Sequence, residues 1–208
     1  MIRVRDVLSA TMGLILLAPL FLVIAVAIRM DSPGPVFFRQ TRVGLHGRHF
    51  RIHKFRSMRV GEAGPSVSTT GDARITRVGR FLRRAKLDEL PQLIDVLRGA
   101  MSLVGPRPEV PQYVDLWPRQ LRPSILSVRP GITDPATVLL RSEADILADS
   151  PDPERAYVEE LLPLKARAYE RYVRTRSFAG DTRIILDTFA AIVLPTSVAR
   201  LPKDLEIR

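Results

Sequence analysis

Cysteine is missing from all 208 residues. That excludes disulfides, thiolate metal sites and a cysteine nucleophile. Aromatic residues make up only 6% of the chain, and they are not interleaved with arginine as a single-stranded nucleic-acid platform requires. Lysine is scarce, occurring only as Lys54, Lys86, Lys165 and Lys203. There is no P-loop, no GxGxxG, no internal repeat, no helix-turn-helix and no zinc module.

What the chain has is positive charge, almost all of it arginine. The net charge is +10 and the isoelectric point near 10.9. Such a balance implies an anionic partner: nucleic acid, phosphorylated small molecules or an anionic membrane face. Arginine suits bidentate phosphate binding, although an arginine-rich proteome would give the same bias. With 46% hydrophobic residues, one compact domain plus an appendage is the natural expectation.

The appendage is N-terminal. Residues 7–28 carry no charge. As a straight helix they would reach about 33 Å, enough to cross a bilayer core. Two features oppose a plain span. Pro19 sits mid-segment, where it removes a backbone hydrogen bond and frees the carbonyl of Ile15. Arginine also flanks both ends, with Arg3 and Arg5 before and Arg29, Arg39 and Arg42 after, so both ends belong on the cytoplasmic side. A helix that enters, bends at Ala18-Pro19 and returns satisfies both. The expected division is a re-entrant membrane helix over 1–30 and a cytoplasmic catalytic domain over 31–208. A simple span and a signal peptide cleaved near Ala25-Val26-Ala27 are the alternatives.

Ser32-Pro33-Gly34-Pro35 is a turn cluster that ends the helix. Val36-Phe37-Phe38 and the stretch from His49 to Phe55 predict short strands joined by a turn at Leu45 to Arg48. The basic residues here form either a solvated face beside anionic lipid or, at Lys54 in particular, a phosphate site. His46, His49 and His53 match no usual zinc spacing. Residues 61–74 form a polar loop. Leu87, Leu90, Ile94 and Leu97 then recur at helical spacing. Asp88 is the predicted N-cap of that helix, Pro91 falls in its first turn, and Gly99 is its stop. An acid at a helix start is most often only a cap. Asp88 and Glu89, however, stand just after Arg83, Arg84 and Lys86. Gly105-Pro106-Arg107-Pro108-Glu109 follows, a rigid turn with one arginine between two prolines. Adjacent acids can provide a nucleophile and metal ligands, and basic neighbours can bind the phosphates that Mg²⁺ bridges.

These residues, in this order, resemble the bacterial sugar transferase family, specifically its small monotopic polyprenyl-phosphate phosphoglycosyl transferases. The resemblance runs through the apolar helix, Asp31-Ser32-Pro33-Gly34-Pro35-Val36-Phe37-Phe38-Arg39-Gln40, Arg42-Val43-Gly44 and Phe50-Arg51-Ile52-His53-Lys54-Phe55-Arg56-Ser57-Met58. It continues through Arg77-Val78-Gly79-Arg80-Phe81-Leu82-Arg83, Leu87-Asp88-Glu89-Leu90-Pro91-Gln92-Leu93, Met101-Ser102-Leu103-Val104-Gly105-Pro106-Arg107-Pro108 and Val128-Arg129-Pro130-Gly131-Ile132-Thr133.

The resemblance implies an α+β fold, mostly helical, with a kinked re-entrant helix, a short β-hairpin and interfacial amphipathic helices. It implies transfer of a sugar 1-phosphate from a nucleoside diphosphate sugar, a UDP-sugar being expected, to polyprenyl phosphate as the first membrane step of a glycan pathway. Asp88 falls on the family's nucleophile and would hold the phosphosugar covalently. Glu89 falls on its partner acid, and both would ligate Mg²⁺. Lys54, Arg83, Arg107 and Arg129 fall on phosphate-binding positions, and Asp181 on an acid near the site. The expected partners are the donor sugar nucleotide, polyprenyl phosphate and membrane lipids, without nucleic acid; a homodimer stays open. The expected location is the bacterial inner membrane, with the catalytic part on the cytoplasmic face. The multi-helix segment of the large members lies outside the resemblance, so the minimal catalytic form is expected.

The chain departs from the family where Ala18 precedes the kink proline in place of serine, and where Asp134-Pro135-Ala136 replaces a usual glycine. Glu170 stands where relatives carry Asp and receives no role. Further on, residues 153–176 suit a charged helix broken or bent near Pro163. Ile184, Ile185, Phe189, Ile192 and Val193 form an apolar stripe, more often core than membrane-docking. Two other classes compete: a membrane-tethered anion or nucleic-acid binder, and a non-catalytic scaffold of a glycan assembly complex.

Overall fold

The computed structural model describes residues 1–61, 71–134, 147 and 150–193. Helix α1 (Ile2–Asp31) runs for 30 residues through Pro19 without interruption. The turn cluster ends it as expected. Ser32 donates its N–H to Ile28 O at 3.2 Å, and the buried Arg56 guanidinium donates to the carbonyls of Ile28, Ser32 and Pro33. A cation over the last carbonyls matches the negative end of the helix dipole.

Strands β1 (Phe37–Val43) and β2 (His49–Phe55) form an antiparallel hairpin in which Phe38 pairs with Lys54. The first strand extends well past the predicted Val36-Phe37-Phe38. Helix α2 (Arg77–Arg84) is capped by Thr76, whose side chain accepts from Gly79 N. A single 3₁₀ turn (Leu87–Glu89) follows, then α3 (Gln92–Leu97), β3 (Ser102–Val104), α4 (Pro111–Val114), α5 (Arg122–Ile125) and β4 (Gly131–Thr133). Strands β3 and β4 pair in parallel. Helix α6 (Pro153–Ala156) passes through a π-helical turn (Tyr157–Leu161) into α7 (Leu162–Thr175), and α8 (Phe178–Val193) ends the described chain. The π turn lies just before Pro163, where the sequence predicted a break. A proline lacks the N–H for a normal helical bond, and the extra residue of a π turn absorbs the mismatch.

The fold is therefore mostly helical α+β, with the expected hairpin and N-terminal apolar helix. Among the described residues three apolar clusters hold it together, and α1 enters two of them. Ala10 packs with Ile52, Val96 and Met101. Ile24 and Ile28 pack with Phe55 and Leu82. A boundary at residue 30 thus cuts through two of the cores. The third cluster joins Val43 to Tyr113, Trp117, Tyr157, Leu162 and Tyr169. On the other side of α1, Val4, Leu8, Met12, Ile15, Leu16, Leu22, Val23 and Val26 are exposed. An apolar face of that length against water would be strongly unfavourable.

Two glycines allow close backbone approach. A Cβ on Gly79 would stand 2.0 Å from the carbonyl oxygen of Ser57, and one on Gly105 would stand 2.3 Å from that of Arg129. The first seats α2 on the end of β2, and the second seats the Pro106-Arg107-Pro108 turn on β4. The apolar stripe of α8 is partly answered. Ile184 and Ile185 are half-buried while Leu186 and Phe178 are exposed. The side chains of Phe189, Ile192 and Val193 lie outside the described residues.

Candidate active site

Lys86 adopts a left-handed conformation, φ 56°, and the 3₁₀ turn carrying Asp88 and Glu89 starts immediately after it. The expectation that Asp88 caps a helix is corrected here. Asp88 lies inside the 3₁₀ turn, Pro91 occupies the N-cap position of α3, and neither helix start has a side-chain cap bond. The reason is the left-handed Lys86, which redirects the chain before the helix begins; no local pattern announces it. Gly99 ends α3 as expected, with φ 81° and its N–H on Val96 O at 3.0 Å.

The carboxylate of Glu89 is held from two sides. Lys54 Nζ donates to Oε1 at 2.7 Å, while the Arg107 guanidinium donates to Oε1 and, at 3.1 Å, to Oε2. Lys54 comes from β2 and Arg107 from the turn after β3. That turn is fixed by Arg42, which donates to Pro108 O at 3.0 Å, and by Val43 N–H on Glu109 O at 2.9 Å. Burial alone would raise the Glu89 carboxyl. The charges of Arg107 and Lys54, with their hydrogen bonds, override it and hold the group well below the ordinary carboxylate range. Asp88 goes the other way. Burial, reinforced by the charge of Glu89, pushes its carboxyl up against the opposing pull of Lys54, Arg83 and Lys86. Two adjacent acids thus have divergent acidities, one fixed as an anion and one more basic, as acid pairs with separate tasks have. Lys54 is itself lowered by burial, an effect that Glu89 and Asp88 oppose.

Four of the expected residues converge on the dyad or its surroundings. Lys54, Arg107 and Glu89 are in direct contact. Arg83 reaches the same end of β2, donating to Ser57 Oγ at 3.0 Å, and lowers the carboxyl of Asp88 by its charge. Two are placed elsewhere. Arg129 donates through Nε to Gly99 O at 2.8 Å, tying β4 to the end of α3. Asp181 is fully buried, bonded by Arg5 at 3.0 Å and by the Tyr172 hydroxyl at 2.7 Å. That carboxylate latches α8 to the start of α1 and makes no contact with the dyad. Its partner Arg5 lies 176 positions away, so no local signal showed the pairing.

The structure adds residues that the sequence reading passed over as site candidates. Arg42 and Gln92 line a small hollow with Lys54 and Arg107. Arg42 was visible only as a flanking arginine and in a quoted motif, and Gln92 only within a quoted motif. His53 is accounted for by Asp95, which accepts its Nδ1 at 2.6 Å and its backbone N–H at 2.8 Å. Asp88 and Glu89 are the carboxylates of this site that could hold a metal. Both oxygens of Glu89 are engaged by Lys54 and Arg107, so one of these bonds would first have to open. The two acids suit Mg²⁺, which takes one or two carboxylates and completes its octahedron with water and phosphate oxygens.

The profile of the bacterial sugar transferase family matches residues 1–195. The chain belongs to that family. A relative from Caulobacter vibrioides, named UDP-glucose:undecaprenyl-phosphate glucose-1-phosphate transferase, is 42% identical over 92% of this chain and 69% of its own length. A relative of the same name from Escherichia coli is 45% identical over 70% of this chain, which spans only 32% of it. A third, from Rhizobium leguminosarum, named exopolysaccharide production protein PSS, is 36% identical over 97% of this chain and 95% of its own length. The shared segment thus ranges from a third of a relative to nearly the whole of one.

Proposed function

We propose that this sugar transferase moves a sugar 1-phosphate from a nucleoside diphosphate sugar to polyprenyl phosphate, as the first membrane step of a glycan pathway. The observation that carries the reading is the geometry of the dyad. A buried, more basic Asp88 stands next to a Glu89 pinned by Lys54 and Arg107. The names of the Caulobacter and E. coli relatives give the same donor and acceptor classes and favour a UDP-sugar.

In this reading an oxygen of Asp88 attacks the phosphorus that bears the sugar. The bond from that phosphorus to the bridging oxygen breaks, and the nucleoside monophosphate leaves with the electron pair. An acyl phosphate that joins Asp88 to the phosphosugar remains. An oxygen of polyprenyl phosphate then attacks the same phosphorus and returns the Asp88 carboxylate. Lys54, Arg83 and Arg107 neutralise phosphate charge without themselves reacting. Mg²⁺, when held by Asp88 and Glu89, supplies charge neutralisation at the diphosphate.

The exposed apolar face of α1 supports embedding in the inner membrane. Residues near both ends of the helix touch one globular body: Arg3 donates to Val96 O at 2.6 Å, and Ile28 packs with Phe55. That supports a re-entrant helix with both ends on the cytoplasmic face rather than a crossing one. The arginines of α2 and its exposed Phe81 suit the headgroup region. The test is release of nucleoside monophosphate from a panel of nucleoside diphosphate sugars by detergent-solubilised protein with Mg²⁺ and polyprenyl phosphate. Release that needs the acceptor and vanishes in Asp88→Asn is expected. Absence of release with every donor, from folded protein, would overturn the reading.

A further inference from the structure

Gln92 opens α3, next to the dyad, and its side chain is buried to all but 1%. Its Nε2 nevertheless has no hydrogen-bond partner among the described residues. A buried amide left unpaired is costly, and an apolar side chain of the same shape would pack there without that cost. The residue lines a hollow with Arg42, Ile52, Lys54, Arg107 and Pro108.

The polar character of this hollow is one-sided. Arginine and lysine can only donate hydrogen bonds. Arg42 spends its two terminal nitrogens on Pro108 O and Gln40 Oε1 and leaves its buried Nε unpaired. Lys54 and Arg107 are already paired with Glu89, and Arg42 lies 3.6 Å from Glu109, so the three cations exceed their two carboxylates by one charge. Two orphaned donors beside that excess suit a ligand that only accepts and carries negative charge, as a phosphate does and a metal ion does not.

Resting on the phosphoglycosyl-transfer reading, we propose that Gln92 is a substrate-binding residue. Its amide donates to the phosphate of the nucleotide half of the donor, in a subsite completed by Arg42, Lys54 and Arg107. The assignment to the nucleotide half follows from position. The sugar-bearing phosphate must sit on Asp88, which feels the charge of Lys54 as well as of Arg83 and Lys86. The phosphate that departs is left to Arg42 and Arg107, with Lys54 shared by both. A neutral amide also serves a product that has to leave, because it adds direction to the binding without adding a fourth charge.

Two full-length variants in detergent test this, Gln92→Met and Gln92→Glu. The first removes the donor at similar volume. The second keeps the size, folds because its carboxylate gains cationic partners, and repels phosphate. The probes are uridine monophosphate as product inhibitor, UDP-glucose as donor and undecaprenyl phosphate as acceptor. Gln92→Met is expected to weaken inhibition by uridine monophosphate and raise the donor KM about tenfold each, the worth of one hydrogen bond to a charged group. Gln92→Glu is expected to weaken both further. The acceptor KM is expected to rise as well, because the acceptor attacks the Asp88-bound phosphorus from the side that the nucleotide phosphate has vacated. Because an orphaned amide is removed, Gln92→Met also melts about 2–4 °C higher.

Unchanged inhibition by uridine monophosphate in both variants overturns the proposal. So does a shift confined to the acceptor KM, which would give the hollow to the lipid phosphate. A lower melting temperature with normal inhibition would make Gln92 a structural amide. If the wild type releases nucleotide from no donor, the transferase reading fails. Wild-type turnover with unaltered variants sinks the Gln92 assignment alone.

Discussion

Lys54 Nζ stands 2.7 Å from Glu89 Oε1, so the strand that carries the lysine and the turn that carries the dyad are joined by an ion pair. Arg107 closes on the same carboxylate from a third element. Glu89 is the point where β2, the 3₁₀ turn and the proline-flanked turn meet. Asp88, one residue earlier, makes no comparable ion pair among the described residues.

The two acids should therefore respond in opposite directions to neutralisation. The Asp88 carboxyl is raised in the fold, so its ionisation weakens the folded state, and that penalty grows as pH rises through its folded pKa. Asp88→Asn is expected to abolish nucleotide release while melting at or above the wild-type temperature at pH 7. Differential scanning fluorimetry beside a release assay checks both halves.

Glu89 gives the reverse. Its carboxyl is held well below the ordinary value, so its stabilising effect is present above that ordinary value and is lost as pH falls through the folded one. Glu89→Ala leaves Lys54 and Arg107 facing each other unpaired. A loss of about 2 kcal/mol at pH 7 is expected, less than for a fully buried pair because the groups are partly solvated. Urea unfolding at pH 7 and again near pH 3 measures it, and the gap between wild type and variant should narrow at the lower pH.

The rate should carry the same signature. In the proposed mechanism the first half-reaction needs Asp88 as carboxylate, so single-turnover release of nucleotide is expected to fall on the acid side with an apparent pKa above that of ordinary aspartate. Glu89 stays ionised throughout that window and adds no second step. Rapid-quench measurements across pH, with Mg²⁺ saturating, would show one acid limb rather than two.

Gly79 sets the approach of α2. Adding a methyl group there drives a Cβ into the Ser57 carbonyl, and backbone on both sides must give way. Gly79→Ala is expected to lose about 2 kcal/mol or more, as overpacked sites do, and to cut turnover because Arg83 on α2 leaves Ser57. Turnover per folded molecule, compared with the melting temperature, separates the two effects.

Asp181 provides a further check on the site's boundary. Asp181→Asn weakens its pairing with Arg5 and Tyr172, so a lower melting temperature is expected. The donor KM of the folded fraction should stay within about twofold, because no hydrogen bond or ion pair joins Asp181 to the dyad. A tenfold rise in KM would return Asp181 to the substrate-binding set.

The sequence displayed what depends on near neighbours. Pro33 and Pro35 announced the end of α1, Gly99 the end of α3, and Pro163 the irregular turn between α6 and α7, because each acts on its own few residues. The alternation over His49 to Phe55 located β2. What stayed hidden depends on partners far along the chain. The cap assigned to Asp88 was the favoured local reading, yet a left-handed Lys86 and contacts from β2 and the Arg107 turn govern that stretch. Asp181 lies near the start of α8 in sequence, but its chemistry is decided by Arg5. Gln92 showed nothing, since burial without a partner has no local pattern.

Ala10 has no solvent exposure and packs with Val96, on the helix that follows the dyad. Helix α1 is thus a structural wall of the candidate site, not a leash for it. No water-soluble half of this protein can be cut free with its interior intact. Any change in the tilt of α1 is felt one packing layer away by the helix next to Asp88 and Glu89.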